Sequence, residues 1–304
     1  MHGRLFATAG LAALALSACG GAPDTGSATR PDTTIAPPAA SAGRAPFDRV
    51  VVAVFENKAP GDVFGNGAAP TFNRLARRYA VLAGYGGVAH PSLPNYLALV
   101  SGSTQGISDD CDDCSASAPN LADLLEARGR SWKTYAEGLP GPGYAGGNKG
   151  RYRKHHEPFV YFRNVRSNAG RLRRVVPFTE LSGDLADHRL PDFSLVIPDN
   201  CDNMHDCPVS TGDAWLKRFL GPVLASPQMR RGVVFVIFDE GKGSQPGLPG
   251  GRVPALAVGP TVRRGALNRA RLDHYNLLRT IEDAFRLPRL GQSVKAKPIT
   301  GIWR

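Results

Sequence analysis

Two stretches of this sequence leave little choice of fold. RVVVAVF (Arg49–Phe55) and GVVFVIF (Gly232–Phe238) are apolar runs of strand length without alternation. A strand with one wet face alternates polar and apolar residues, so an unbroken run has to be covered on both faces. Crossover helices supply that cover, which implies a mostly parallel central sheet with helices on both faces. Segments 131–136, Phe193–Ile197 and 253–258 read as further strands. Helical spacing appears over 70–83, 95–100, 120–128, 211–224 and 272–285, with Gly129 ending the third. The expected fold class is α/β. A chain of 304 residues is long enough to bury a sizeable core.

Ligands of such sheets gather at the carboxyl ends of the strands. Here Glu56-Asn57 follows Phe55 at once, Asp239-Glu240 follows Phe238, and Pro198-Asp199-Asn200 follows Ile197. Glu56, Asn57, Asp239 and Glu240 are hard oxygen donors, suited to Ca²⁺, Mg²⁺ or Mn²⁺ and tolerable for Zn²⁺. Without a cation, three converging carboxylates repel one another. These four residues are therefore the expected ligands of a divalent metal ion whose identity stays open. The competing reading is that the acids only cap neighbouring helices.

HPSLPNY (90–96) places Ser92 just ahead of an apolar, helix-like run. Backbone amides at a helix N-terminus favour an anion or a developing alkoxide there. A serine needs such help, or a base or metal, to become a nucleophile. Asn95, three residues on, can offer an amide donor to a phosphoryl oxygen. The alternative is that Ser92 is only an N-cap.

Histidines supply acid–base chemistry, metal ligation or phosphate binding. Those in motif-like surroundings are His90, His155, His156, His205 and His274. RYRKHH (151–156) is a dense cationic run that suits a phosphate, or a basic surface loop. DNCDNMHD (199–206) packs acids, amides and His205 between Cys201 and Cys207. A disulfide there would hold His205 in place.

The N-terminus reads as a targeting signal. Arg4 precedes the apolar run LFATAGLAALAL (5–16), which is too short to span a bilayer. Leu16-Ser17-Ala18-Cys19 looks like a bacterial lipobox, so residues 1–18 are expected to be a lipoprotein signal peptide and Cys19 the lipidated residue. Residues 19–46, rich in Ala, Pro, Ser and Thr, read as a disordered linker, and 47–304 as the folded domain. The expected location is extracytoplasmic, anchored to the cell membrane. The alternative is an ordinary secretory signal with a chance cysteine. Four cysteines remain after Cys19, and an even number outside the cytoplasm reads as disulfides. The local pairs Cys111–Cys114 and Cys201–Cys207 are expected, although three connectivities are open. A four-thiolate zinc site fits the C-x5-C spacing poorly.

Together these motifs carry a resemblance. Glu56-Asn57, HPSLPNY followed by Ser101-Gly102, YRKHHEPF, IPDNCDNMHDC, GDAWL, FDEG and HYNLLRTIED resemble, in order, the bacterial acid phosphatase and phospholipase C type phosphoesterases. The short secreted acid phosphatases of that family are the most similar group. The resemblance runs from about Phe47 to Trp303 and implies an alkaline-phosphatase-like α/β fold. It implies metal binding by Glu56, Asn57, Asp239 and Glu240, with Ser92 as nucleophile. Ser92-Leu-Pro-Asn95 is also similar to the Thr-x-Pro-Asn of nucleotide pyrophosphatases, which makes Asn95 a phosphoryl ligand. His156 and His205 become phosphate or leaving-group contacts, and His90, His155 and His274 weaker ones. The two-metal enzymes of the superfamily usually carry histidine where this chain has Glu240.

The resemblance implies phosphate monoester hydrolysis through a Ser92 phospho-enzyme, with His205 protonating the leaving oxygen. The same family contains phosphodiesterases and phospholipases C. A sulfatase would need an oxidised Cys or Ser in a different motif. A solute-binding lipoprotein shares the export signal but not the strand-end acids. The net charge of +11 suits an anionic partner such as a small phosphorylated substrate, or else a solvated arginine-rich face. No zinc-finger or basic-helix pattern appears, so no nucleic acid partner is expected. The sequence leaves the oligomeric state open.

Overall fold

The computed structural model describes residues 1–3, 34–38 and 45–304. The expected signal peptide, apart from its first three residues, lies outside the described residues, as do Cys19 and most of the linker. No helix among the described residues is long and apolar enough to cross a membrane.

The described strands are β1 (Ile35–Ala36), β2 (Arg49–Phe55), β3 (Ala80–Leu82), β4 (Trp132–Ala136), β5 (Val175–Pro177), β6 (Phe193–Ile197), β7 (Gly232–Phe238), β8 (Leu256–Val258), β9 (Leu267–Asn268) and β10 (Arg289–Leu290). Eight form the central sheet in the order β5-β4-β6-β2-β7-β8-β3-β9, and β1 pairs with β10 separately. Neighbours in the large sheet are parallel except where β8 meets β7 and β3. The sheet is thus mostly parallel, as the apolar runs require. Every residue of β6 and β7 is buried, and so is all of β2 after Arg49. Consecutive burial means that both faces are covered.

Register sets the site. β2 and β7 pair in parallel with Phe55 opposite Phe238. The acid doublets that follow these residues therefore emerge side by side. Asp239 N donates to Phe55 O at 2.9 Å, so the pairing continues one residue beyond the strands.

Some elements differ from their sequence reading. The helix expected over 70–83 is Pro70–Arg78, and Ala80–Leu82 is a strand. The helical spacing carries on past the true end, but this apolar triplet pairs with both β8 and β9. Tertiary pairing overrides the local periodicity. The helix expected at 95–100 is Ser92–Ser101. Pro94 lies in its first turn, where no intrahelical N–H bond is needed. All ten residues of this helix are buried. The helix expected over 272–285 begins at His274, because Asp273 caps it by accepting from Tyr275 N and Asn276 N. The edge strands β5 and β9 have no sequence signature of their own.

Candidate active site

Glu56, Ser92 and Asp239 meet at the carboxyl edge of the sheet. Glu56 extends β2 and is fully buried. Ser92 Oγ donates to Glu56 Oε2 at 3.0 Å, and Tyr96 OH donates to Glu56 Oε1 at 2.5 Å. Ser92 and Tyr96 are four residues apart on one helix and so share a face. Pro91 is the N-cap of that helix and Ser92 its first residue. The Ser92 hydroxyl thus points at a carboxylate rather than back at the helix, which removes the plain N-cap reading.

Asn57 adopts φ 53°, in the left-handed region that Asn tolerates better than most residues. This turn aims its backbone N–H at Asp239 Oδ1, 3.2 Å away. Behind Asp239, His274 Nε2 lies 2.6 Å from its carbonyl oxygen, and Tyr85 OH lies 3.0 Å from His274 Nδ1. Burial lowers the His274 imidazole to about 4, so it is neutral at pH 7. His274 holds the backbone of Asp239 and does not face the Ser92 hydroxyl's acceptor.

The electrostatics are strained. Burial and the Asp239 charge raise Glu56 well above the usual carboxylate range. Burial and the Glu240 charge push Asp239 up to about 7. Burial and Asp110 push Glu240 up to about 7. Asn57 Oδ1 and Asp239 Oδ2 are buried without a hydrogen-bond partner. An orphaned amide oxygen and an orphaned carboxylate oxygen beside Glu56 form a hard-oxygen donor set, which fits a divalent cation.

Glu240 lies further out, its Oε2 2.7 Å from His90 Nδ1. Glu56, Asp239 and Glu240 do not bring three carboxylate oxygens within 4.8 Å of one another. Among the described residues the acidic trio that does is Glu137, Asp199 and Asp202. It sits at the same sheet edge, beyond β4 and β6, and is a second possible acidic metal site.

His156 is buried and stacks on Tyr96 with ring centroids 5.3 Å apart. Its Nε2 lies 3.4 Å from Glu56 Oε1 but has no hydrogen-bond partner. Burial lowers its pKa well below the ordinary histidine value, so this contact is not an ion pair at pH 7. His155 is half-buried, edge-on to His156 at 4.4 Å, with its own pKa lowered by burial. His205 is exposed and its Nδ1 is 2.7 Å from Asp206 Oδ1. Its loop is anchored where Glu56 N donates to Asn203 O at 2.9 Å. The disulfides Cys111–Cys114 and Cys201–Cys207 are both present, the second closing the His205 loop.

Asn95 is placed differently from its expected use. Its Oδ1 accepts from Val88 N at 2.8 Å and Ala89 N at 3.1 Å. Its Nδ2 donates to Ala89 O at 2.9 Å and Pro91 O at 3.0 Å. Both amide donors are spent on the loop that carries His90 and Ser92, which leaves none for a phosphoryl oxygen. Asn95 here is a clamp on that loop.

Sequence reading missed three residues near the centre. Tyr96 ends HPSLPNY, where its spacing from Ser92 is the available signal. Lys58, half-buried with a pKa lowered by burial, donates from Nζ to Met204 O at 2.7 Å and lies near Glu56 and Asp239. Its place directly after Glu56-Asn57 was the available signal. Asp110 Oδ1 accepts from Leu93 N at 2.8 Å and steadies the first turn of the Ser92 helix.

A family model described as the phosphoesterase family matches residues 48–288. The chain belongs to the phosphoesterase family. It is a hydrolase of phosphoric esters. A phosphatidylinositol-3-phosphatase of Mycobacterium tuberculosis is 35% identical over 84% of this phosphoesterase and 83% of that protein. A phosphate-repressible acid phosphatase of Penicillium chrysogenum is 30% identical over 81% of this chain, which spans 61% of that longer protein. Among solved structures, a protein in the alkaline phosphatase superfamily from Vibrio parahaemolyticus superposes with a TM-score of 0.60 at 14% identity. That match covers 90% of this chain and 76% of the other. It shows the fold, which is alkaline-phosphatase-like as the resemblance implies.

Proposed function

We propose that this phosphoesterase is an acid phosphatase that hydrolyses phosphate monoesters through a phosphoserine at Ser92. The observation that carries the reading is the Ser92 hydroxyl at the amino end of a buried helix, directed at a carboxylate. Ser92 Oγ attacks phosphorus in line and the bond to the leaving oxygen breaks. The hydroxyl proton leaves along the hydrogen bond toward Glu56. His205, oriented through Nδ1 by Asp206, protonates the leaving oxygen from Nε2. His156 Nε2 is free to donate to a phosphoryl oxygen. Water then cleaves the phosphoserine, releasing inorganic phosphate and regenerating Ser92. On this reading His155 and His90 serve as further phosphate contacts.

Glu56, Asn57 Oδ1 and Asp239 Oδ2 would hold the divalent metal, with Glu240 beside them. When bound, that ion would neutralise the carboxylates and stabilise charge on Ser92 and the phosphoryl oxygens. The likeness to a phosphatidylinositol-3-phosphatase and an acid phosphatase favours monoesters over diesters. Turnover of p-nitrophenyl phosphate well above bis(p-nitrophenyl) phosphate is expected. The reverse preference would replace the reading with a phosphodiesterase.

We also propose that the enzyme is exported and tethered through lipid on Cys19, on the strength of the Leu16–Cys19 motif. Cys19→Ser should leave it unprocessed or release it from the membrane fraction. Wild-type protein found fully soluble with another mature N-terminus would end that proposal.

A further inference from the structure

A concavity of about 630 Å³ opens at the same sheet edge as the acid doublets, and its lining includes Gly84, Gln245, Leu248, Arg252, Arg269 and Arg271. Topology puts it on that edge. Gly84 follows β3, Arg269 and Arg271 follow β9, and Arg252 precedes the oppositely directed β8. β9 is three strands from β7, so Arg269 and Arg271 lie about 10–15 Å along the edge from Asp239.

The groove and the Ser92 site share a wall. Segment 241–252 lines the groove through Gln245 and Leu248, and its Gly243 O lies 3.3 Å from His90 Nε2. The segment is fixed by Gly241 N donating to Gly250 O at 2.7 Å and Gly250 N to Gly87 O at 3.2 Å. The floor is equally close-built: a Cβ on Gly84 would lie 2.2 Å from Ala270 O.

All three arginines are exposed, and none forms an ion pair with a described residue. Arg252 is held by donating to Ala83 O. Arg269 and Arg271 keep their guanidinium donors free for a ligand. A second concavity of the same volume, at the opposite edge, also has basic lining. There Arg130 pairs with Asp192, Lys133 with Asp184, Arg174 with Glu126 and Arg189 with Asp187. Unlike that second concavity, the groove beside the Ser92 site carries arginines with no acidic partner among the described residues. Guanidinium groups clustered without acids suit bidentate binding of phosphate or carboxylate.

We propose that this groove is a substrate subsite for a second anionic group, a phosphate or carboxylate held by Arg269, Arg271 and Arg252 while the scissile phosphoryl group sits at Ser92. The proposal rests on the phosphatase reading and narrows its substrates to molecules that carry a second anionic group far enough from the scissile phosphate to bridge the gap.

Alkyl monophosphates and α,ω-alkanediol bisphosphates of increasing chain length test it. Wild-type enzyme should favour the bridging bisphosphate in KM by about tenfold, beyond the factor of two from its equivalent ends. The double variant R269A/R271A should lose that preference and still turn over p-nitrophenyl phosphate normally. A preference absent at every length, or one that survives in the double variant, overturns the proposal. So does a double variant whose only defect is weaker binding to phosphatidylglycerol vesicles, which would make the groove a membrane contact. If p-nitrophenyl phosphate is not hydrolysed at all, the phosphatase reading fails by itself. Equilibrium binding of the same bisphosphates to wild type and R269A/R271A then still decides the groove: a shared affinity rejects it and a selective loss supports it.

Discussion

Ser92 Oγ donates to Glu56 Oε2 at 3.0 Å, and the two residues reach that contact from different elements. Glu56 is delivered by the end of a strand buried from Val50 onward, and Ser92 by the first turn of a fully buried helix. Neither backbone can shift without repacking the core, so the pair is held by the fold rather than by the site. Tyr96, one helical turn on, occupies the other carboxylate oxygen and fixes the rotamer of Glu56. On the proposed mechanism, a serine held this way needs little reorganisation before attack.

Asn95 separates a positioning role from a ligand role. Asn95→Ala removes four hydrogen bonds to the 88–91 loop. The loss should be about 2–4 kcal/mol of stability, since backbone groups in a tight loop are left unpaired. Thermal unfolding and turnover measured on the same preparation should fall together. Unchanged Tm with lost activity would return Asn95 to the phosphoryl group.

Glu157 gives a pH signature away from the metal set. It is fully buried, and burial pushes its carboxyl from 4.5 up to about 8. A group raised in the folded state contributes its full stability below the unfolded value and loses it as pH rises through the folded one. Stability should therefore decline from about pH 5 to about pH 8 through this residue and level off above that. Glu157→Gln mimics the protonated form. It should match wild type in Tm at pH 5 and exceed it at pH 9. Equal displacement at both pH values would show that Glu157 is not protonated in the fold.

Asp239→Asn tests the metal set. Asparagine resembles the protonated Asp239 that burial already favours, so the fold should survive. Metal content by mass spectrometry and turnover of p-nitrophenyl phosphate should be lost together. Full activity in demonstrably metal-free wild-type protein would remove the metal from the mechanism, and metal retained in full by Asp239→Asn would remove Asp239 from the ligand set.

The sequence was most legible where burial leaves no alternative. The runs at β2 and β7 have no polar face, and their shared register puts Glu56 and Asp239 side by side, as expected from strand ends. The two disulfides were readable from cysteine spacing and parity. The helix expected from Asn95 starts at Ser92, because proline, a helix boundary signal in sequence, is equally at home in the first turn. The bonds of Asn95 run to backbone atoms in a preceding loop, and no residue pattern encodes them. Tyr96, Lys58 and Asp110 act on Glu56, the His205 loop and the Ser92 helix through contacts that only tertiary packing brings together. Edge strands of two or three residues are too short to carry a periodicity.

The central claim is that Ser92 carries the phosphoryl group. Acid quench of the enzyme during turnover, followed by phosphopeptide mapping, measures this directly, with Ser92→Ala alongside. The account predicts phosphoserine at Ser92 in the wild type. It predicts a loss of about 10⁴- to 10⁶-fold in kcat for the alanine variant, with its fold and metal retained. Phosphate on another residue, or near-normal turnover by Ser92→Ala, would contradict it and point to direct attack by water.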